Sequence, residues 1–208
     1  MSQIKNILFD LGGVILNINY HLTIDAFKKI GFTDFEAFYT QKSQTEFFNL
    51  FETGHLSVSE FHEYIKRNCP SSITNNQINT AWNAMLLDLP IYRIEFLEML
   101  SKKYQIYLLS NTNEVHISEF KKTIDATVGY DRFKNVFNSC YYSSEIGFRK
   151  PKKACFNYVL KTNDLDTKET LFIDDSIQHI KGASSLGILS YLLKPGEDIV
   201  RVVPDIIQ

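Results

Sequence analysis

Short apolar segments separated by helical patterns are the feature of this sequence that most limits its fold. The first segment is Ile7-Leu8-Phe9, which is followed by Asp10 and the turn residues Leu11-Gly12-Gly13. Similar apolar segments recur at residues 106–109, 136–142, 171–173 and 188–192. Helical patterns lie between most of them, at residues 92–103, 115–123, 152–161 and 177–186. Because such alternation is typical of parallel sheets covered on both faces, the sequence predicts an α/β fold with a Rossmann-like parallel sheet core.

One long segment, residues 20–87, interrupts this alternation because it carries helical patterns and no convincing strand. Ser57 with Glu60, and Thr74 with Gln77, have the spacing of capping boxes, which mark the starts of helices. We therefore predict an inserted helical cap domain at residues 18–87, placed after the first strand. The α/β core domain would then comprise residues 1–17 and 88–208.

Composition and charge exclude several classes of protein. The net charge of -2 and the pI near 6.2 provide no field that would attract nucleic acid or anionic lipid. Three separated cysteines without a CxxC pair indicate neither a disulfide framework nor a zinc site. No stretch approaches the roughly 20 apolar residues that span a bilayer, and the N-terminus lacks a signal-peptide pattern. We expect a cytoplasmic protein without membrane or nucleic-acid partners, while its oligomeric state has no signal in the sequence.

Polar residues follow several of the predicted strands. Asp10 follows the first strand, Ser110 and Asn111 the second, and Asp174 and Asp175 a later one. Ligands of open parallel sheets bind beyond the carboxyl ends of the strands, so these side chains should converge. Taken singly, Asp10 is more often a capping residue, and Ser110-Asn111 is ordinary turn chemistry. Adjacent carboxylates at a strand end need a nearby cation, and Mg²⁺ is typically bound by such groups together with a substrate phosphate.

Together these residues provide what phosphoryl transfer requires. Lys150, in the segment Gly147-Phe148-Arg149-Lys150-Pro151, and a metal ion would neutralise the phosphoryl oxygens. Ser110 and Asn111 would position the phosphoryl group, and the Asp10 carboxylate would attack it in line. Attack by a carboxylate gives an acyl phosphate, which water then hydrolyses.

Four segments resemble, in order, the four motifs of the haloacid dehalogenase-like superfamily, and the resemblance covers essentially the whole chain. They are Phe9-Asp10-Leu11-Gly12-Gly13-Val14, Leu109-Ser110-Asn111-Thr112, Gly147-Phe148-Arg149-Lys150-Pro151 and Phe172-Ile173-Asp174-Asp175-Ser176. The resemblance implies Asp10 and Lys150 as catalytic residues. It implies that the substrate is bound by Leu11, Gly12, Ser110, Asn111 and Lys150. Magnesium would be held by Asp10, the Gly12 carbonyl and Asp175, with Asp174 helping directly or through water.

Within this superfamily the segments resemble those of the bacterial α-D-glucose-1-phosphate phosphatase group. The expected activity is magnesium-dependent hydrolysis of a small phosphorylated metabolite, such as a sugar phosphate, through an aspartyl-phosphate intermediate. Most phosphatases of the superfamily carry a general acid two residues after the nucleophile, where this chain has Gly12. General acid–base catalysis contributes roughly 10²–10⁴ in rate, so its absence favours a good leaving group. We therefore expect a sugar-1-phosphate to react better than a sugar-6-phosphate, and consider His116 as a replacement acid.

The predicted cap is rich in aromatic residues, most of which should form its core. Glu52 and His55 are candidates to hydrogen-bond a sugar hydroxyl, and Trp82 is a candidate to stack on a sugar face. Each also has an ordinary structural interpretation, as a solvated loop residue or, for Trp82, as part of the core. Gly54 could serve as a flexible point through which the cap admits substrate and then excludes water.

Two other functions fit parts of the same pattern. A 2-haloacid dehalogenase also uses an Asp nucleophile and also lacks the second acid, but it needs no metal and has no use for the Asp174-Asp175 pair. A non-catalytic phosphosugar-binding protein could retain the scaffold, although binding alone does not require the nucleophile Asp10.

Overall fold

The computed structural model describes residues 3–39, 45–70 and 72–207. Its strands are β1 (Asn6–Phe9), β2 (Gln105–Ser110), β3 (Ser139–Tyr142), β4 (Thr170–Asp174) and β5 (Leu189–Leu192). They form one parallel five-stranded sheet in the order β3-β2-β1-β4-β5, which confirms the predicted α/β fold with a parallel sheet core. The apolar segments and the observed strands coincide to within a few residues.

The central strand β1 places Asp10 at the carboxyl edge of the sheet. Phe9 pairs with Leu108 of β2 on one side and with Ile173 of β4 on the other. The residues that follow these pairs, including Ser110 and Asp174, therefore reach the same edge, as the sequence predicts.

Successive residues of the central strands enter hydrophobic clusters on opposite faces of the sheet, as the two-residue period of a strand requires. Ile7 and Phe9 belong to one cluster, whereas Leu8 belongs to another with Leu109 and Phe172. Helices cover these faces, namely α6 (Ile91–Leu100), α7 (Glu114–Val128), α8 (Tyr130–Asn135), α9 (Ser143–Ile146), α10 (Lys153–Thr162), α11 (Ile177–Ser184) and α12 (Ile199–Ile206), and a 3-10 turn spans Thr167–Glu169.

The segment between β1 and α6 is helical. It contains α1 (Tyr20–Lys29), α2 (Phe35–Phe38), α3 (Glu46–Glu52), α4 (Val58–Arg67) and α5 (Asn75–Asn83). Both capping boxes are present: Ser57 and Glu60 begin α4, and Thr74 and Gln77 begin α5. The boundaries at residues 17/18 and 87/88 stay a prediction, and residues 1, 2, 40–44, 71 and 208 of the two predicted domains lie outside the described residues.

These helices enclose a separate cluster of buried aromatic side chains. Its fully buried members include Phe27, Phe35, Phe48, Phe61 and Trp82. Their rings meet mostly edge-on or tilted, as aromatic rings prefer, and their burial confirms that most of the aromatics form a core. Across the described part of the chain, we find no helix with the length and apolarity that crossing a membrane demands.

Candidate active site

A buried lysine lies between two carboxylates at the carboxyl edge of the sheet. The Nζ atom of Lys150 is 2.9 Å from Asp10 Oδ1 and 2.7 Å from Asp174 Oδ2. The Lys150 side chain is completely buried, and that of Asp10 is 10% exposed. The Leu11 N–H also donates to Asp10 Oδ1, at 2.7 Å. Two donors on one oxygen fix the orientation of the Asp10 carboxylate.

The charges of this cluster are strongly coupled. Burial alone would lower the pKa of Lys150, but Asp10 and Asp174 outweigh it and raise that pKa, so the lysine is held as a cation. Burial would likewise raise the pKa of Asp174, yet Lys150 and His179 lower it. For Asp10, burial is the largest effect, and together with repulsion from Asp174 and Asp175 it raises the pKa despite Lys150. The Asp10 site is therefore short of positive charge.

Asn111 holds the main chain of Lys150 in place. Its Oδ1 accepts a hydrogen bond from the Lys150 N–H at 2.9 Å, and its Nδ2 donates to the Lys150 carbonyl at 2.9 Å. The sequence predicts Asn111 as a ligand of the phosphoryl group. In the structure both ends of its carboxamide bind Lys150, so this side chain positions the lysine, while a direct role in binding substrate stays a prediction.

Asp174 is oriented by three donors. Its Oδ2 accepts from Lys150, and its Oδ1 accepts from the Ser176 N–H at 2.8 Å. His179 Nδ1 lies 2.9 Å from Oδ1 and 3.0 Å from Oδ2 of the same carboxylate. Sequence reasoning missed His179, although its position in the first turn of the helix after Asp174-Asp175 is a signal that could have found it.

Asp175 packs directly against the glycine turn that follows Asp10. Gly13 has a φ of +74°, and a Cβ atom there would lie 2.5 Å from Asp175 Oδ2. Glycine is therefore required at position 13 both by the backbone and by the approach of this carboxylate. At Gly12 a Cβ atom would lie 3.0 Å from Ile18 Cδ1, so an apolar side chain occupies the space beside this residue.

The chemistry of the donor set fits magnesium. Oxygen and nitrogen atoms of Asp10, Asp174 and His179 lie within 4.8 Å of one another, and Asp175 adjoins the same turn. Carboxylate and carbonyl oxygens are the ligands that Mg²⁺ prefers, and a cation would offset the carboxylates that surround Asp10. Because Lys150, Ser176 and His179 already bind the Asp174 oxygens, this arrangement favours a water-mediated role for Asp174 over direct ligation.

Most of the predicted site residues line one cavity above this edge of the sheet: Asp10, Leu11, Gly12, Ser110, Asn111 and Asp175. Lys150 and Asp174 are fully buried below it, in contact with Asp10 and His179 of the lining. The structure thus brings all the predicted site residues together.

The helical segment contributes the other side of the cavity, through Tyr20, Tyr39, Glu52, Met85 and Leu86. Of the cap residues singled out from the sequence, Glu52 ends α3 and lines this cavity, while its hydrogen bond to a sugar hydroxyl stays a prediction. The suggestion for Trp82 is wrong: its ring is completely buried in the aromatic cluster and its Nε1 donates to Asn113 Oδ1 at 3.1 Å. His55 is exposed, bonds to Thr53 and does not line this cavity, so the structure gives no support to a contact with the sugar.

Contacts made by Arg149 and by Gly54 join the helical segment to the rest of the chain next to the cavity. Arg149 Nε lies 3.0 Å from Glu52 Oε2, and the same guanidinium donates to the Asn49 carboxamide. Gly54 has a φ of +70°, and a Cβ atom there would lie 2.2 Å from the Ser144 carbonyl oxygen. Gly54 is therefore a point of tight backbone contact, and nothing in this packing supports a role as a hinge.

His116 lines the cavity, but its ring nitrogens are both engaged. Nε2 donates to the Trp82 carbonyl at 3.1 Å, so Nδ1, which lies 3.2 Å from Asn113 Nδ2, accepts. Burial lowers the pKa of His116 to about 4. A neutral imidazole with both nitrogens bonded has no proton to give near neutral pH, which argues against His116 as the replacement acid.

A His116→Gln variant should therefore keep the shape of the wild-type rate–pH profile. The substitution should instead change how the free energy of unfolding depends on pH. The unfolded chain takes up a proton near pH 6.5 and the folded chain only near pH 4, so the wild type loses stability as the pH falls through this window. The loss, absent from the variant, is about 3 kcal/mol between pH 7 and pH 4. Urea unfolding at several pH values measures it, and a rate–pH profile that loses its alkaline limb in the variant would restore His116 as a catalytic acid.

Comparisons with known proteins agree with this geometry. A model of the haloacid dehalogenase-like hydrolase family matches residues 4–187. A D-ribitol-5-phosphate phosphatase from Bacteroides thetaiotaomicron is 30% identical over 94% of this chain and 95% of its own length. The wild-type enzyme BT-2542 from that species, a member of the haloacid dehalogenase family crystallised with magnesium and inorganic phosphate, is 38% identical. That alignment has a TM-score of 0.83 and covers 94% of this chain and 96% of that one. A predicted HAD-like family hydrolase from Porphyromonas gingivalis is 28% identical, with a TM-score of 0.88, and the alignment covers 100% of this chain and 99% of that one.

The chain belongs to the haloacid dehalogenase-like hydrolase family. These relatives confirm the predictions of a phosphoric monoester hydrolase and of magnesium as its cofactor. They do not single out the glucose-1-phosphate phosphatase group, because one of them is a D-ribitol-5-phosphate phosphatase.

Proposed function

We propose that this protein hydrolyses the phosphate monoester of a small sugar or polyol, with Asp10 as the nucleophile and an aspartyl-phosphate intermediate. The observation that carries the proposal is the buried Asp10–Lys150–Asp174 cluster at the floor of a cavity. It combines an oriented carboxylate with a cation held in place, and acceptance of a phosphoryl group requires both.

The residues divide the reaction between them. The Asp10 carboxylate attacks phosphorus, an Asp10 O–P bond forms, and the bond from phosphorus to the leaving alcohol breaks. The alkoxide then takes a proton from water, since residue 12 is glycine. In the second step water attacks phosphorus and loses its proton to solvent, the aspartyl–phosphorus bond breaks, and phosphate leaves with the Asp10 carboxylate restored.

Other groups hold the phosphoryl oxygens during both steps. Lys150 places its charge beside Asp10, and Asn111 fixes the main chain that carries Lys150. Ser110, which ends β2 and lines the cavity, is assigned to hydrogen-bond the phosphoryl group. Asp10, the Gly12 carbonyl and Asp175, with Asp174 behind them, would hold a magnesium ion, which would further neutralise the phosphoryl oxygens.

Two observations bear on the identity of the alcohol that the phosphate esterifies. The missing acid at Gly12 favours glucose-1-phosphate, whose anomeric oxygen leaves more readily than an ordinary alkoxide. The relative that acts on D-ribitol-5-phosphate instead favours a polyol with a primary phosphate ester. Both candidates are small, rich in hydroxyl groups and carry one phosphate.

Release of phosphate from a panel of esters tests the proposal. With magnesium present we expect hydrolysis of glucose-1-phosphate, with a kcat/KM about 10²-fold above that of glucose-6-phosphate if the leaving group decides the rate. D-ribitol-5-phosphate is assayed beside them, and EDTA should abolish all activity.

Other outcomes would revise the proposal in different ways. A preference for ribitol-5-phosphate would refute the leaving-group argument and keep the phosphatase. Chloride release from 2-chloropropionate without magnesium would support a dehalogenase. Bound sugar phosphate without released phosphate in a single-turnover assay would support a binding protein.

A further inference from the structure

An ion pair inside the cavity joins the helical segment to the loop that carries Lys150. Arg149 Nε is 3.0 Å from Glu52 Oε2, with the two side chains only 16% and 5% exposed. The Tyr39 hydroxyl donates to Glu52 Oε1 at 3.4 Å, and Arg149 also donates to Asn49. Glu52, Tyr39 and Arg149 all line the cavity beside Asp10. They therefore face whatever is attached to the phosphate.

This ion pair determines the charge that the cavity offers to the substrate. Among the lining residues in the described part of the chain, Arg149 alone carries a fixed positive charge. Glu52 offsets that charge, and the Lys150 charge below the cavity is offset by Asp10 and Asp174. A second anionic group on the substrate would find its potential partner, Arg149, already neutralised and would meet the Glu52 carboxylate. Like charges brought together in a partly buried site are strongly unfavourable.

Hydroxyl groups on the substrate would instead form favourable hydrogen bonds with these two side chains. A carboxylate accepts about four hydrogen bonds through its two oxygens, and an O–H donor to a carboxylate makes one of the stronger hydrogen bonds in proteins. Arginine complements this, because its N–H groups donate to hydroxyl oxygens. A wall made of this pair and Tyr39 suits an uncharged chain or ring of hydroxyl groups.

We propose that the Glu52–Arg149 pair restricts the substrate to phosphate monoesters whose organic part is uncharged and hydroxylated, with Glu52 excluding esters that carry a carboxylate or a second phosphate. This inference rests on the proposed function, since it assigns the specificity of the same site. Glu52 is then a specificity-determining residue. Its negative charge contributes more to the choice of substrate than its packing does.

Matched pairs of esters test the proposal, because in each pair one alcohol or aldehyde carbon of the first member is a carboxylate carbon in the second. We choose glycerol-3-phosphate with 3-phosphoglycerate, and glucose-6-phosphate with 6-phosphogluconate. In the wild type, kcat/KM for the uncharged member should exceed that for the carboxylated member by about 10²-fold. Where turnover is too slow to measure, inhibition constants against p-nitrophenyl phosphate compare the binding of the two members instead.

In Glu52→Gln the ratio should fall at least tenfold, mainly through a lower KM or inhibition constant for the carboxylated ester, because Arg149 becomes available to bind it. Glu46→Gln makes the same change at an exposed position of the same helix, α3, and should keep the wild-type ratio. Glu52→Asp retains the charge and should retain the selectivity even if turnover falls. If Glu52→Gln fails to fold, Arg149→Met replaces it, and its ratio should be at least that of the wild type.

The proposal is overturned if the wild type treats both members of a pair alike, if Glu52→Gln keeps the wild-type ratio, or if that variant gains equally on both members. An equal gain would mean that Arg149 binds the phosphate common to all substrates. Hydrolysis of p-nitrophenyl phosphate distinguishes a failure of the proposed function from a failure of the proposed charge selectivity. If magnesium supports no hydrolysis of this ester or of any other, the proposed function itself has failed, whereas hydrolysis without charge selectivity refutes only the inference.

Discussion

Replacement of Asp10 by Asn should reduce magnesium-dependent phosphate release by at least about 10³-fold, because the variant loses the nucleophile and not just a contact. The two side chains have nearly the same shape, and Lys150 keeps its contact with Asp174 at 2.7 Å, so the fold should persist. Initial rates with p-nitrophenyl phosphate and with the best ester of the panel measure the loss. Mass spectrometry of acid-quenched enzyme should detect a phosphate adduct in the wild type and none in the variant.

Asp25→Asn is the matched control for this experiment. Asp25 lies on α1 with an exposed side chain, so the same change of charge there should leave the rate within about twofold of the wild type. Full activity in Asp10→Asn would contradict the proposed chemistry at its centre.

Replacement of Lys150 by Met should damage both activity and stability. Methionine fills a similar volume but leaves Asp10 and Asp174 buried without their shared cation. Breaking a buried ion pair by removing one partner destabilises a protein by about 3–5 kcal/mol. Loss of the charge that stabilises the transferred phosphoryl group should reduce kcat by about 10²–10³-fold.

The loss of stability in Lys150→Met should depend on pH, because the two carboxyl groups left without a cation can be protonated. Without Lys150 the folded-state pKa values of the two buried carboxyls rise above their unfolded values, so folding favours their protonated forms. Stability is then lost as the pH rises, and Lys150→Met should be closer to the wild type at pH 5 than at pH 8. Urea unfolding at both values measures the difference. Lys153→Met, exposed at the start of α10, is the control, and equal stabilities of the two variants would refute the buried-cation interpretation.

The sequence was sufficient to predict the sheet and the residues at its carboxyl edge. Apolar segments of the right length predicted the strands, and the polar residues that end them had to meet there because the strands are parallel. Asp10, Ser110 and Asp174 follow from this reasoning alone. The capping boxes at Ser57 and Thr74 were equally readable, since their chemistry is confined to four consecutive residues.

Contacts between distant segments could not be predicted in the same way. Arg149 was visible as part of a motif, but its pairing with Glu52, almost 100 residues earlier, depends on how the helical segment packs on the sheet domain. The burial of Trp82 and the bonding of both His116 nitrogens arise from the same packing. A periodic pattern shows which face of a helix is apolar, not which polar atom lies opposite a given side chain.

The positions of Arg149 and Lys150, joined by one peptide bond, have a consequence for how such enzymes diversify. Arg149 lines the side of the cavity assigned to the alcohol, while Lys150 is assigned to the phosphate. Asn111 forms hydrogen bonds with both the N–H and the carbonyl of Lys150. Mutations at Arg149 therefore risk disturbing the reaction common to every substrate. Arg149 lies in the loop before α10, whereas Glu52 lies on α3, far in sequence from the residues assigned to the phosphate. New substrate ranges should arise more readily through changes on α3, which would allow descendants of one ancestor to share a reaction centre and yet consume different metabolites.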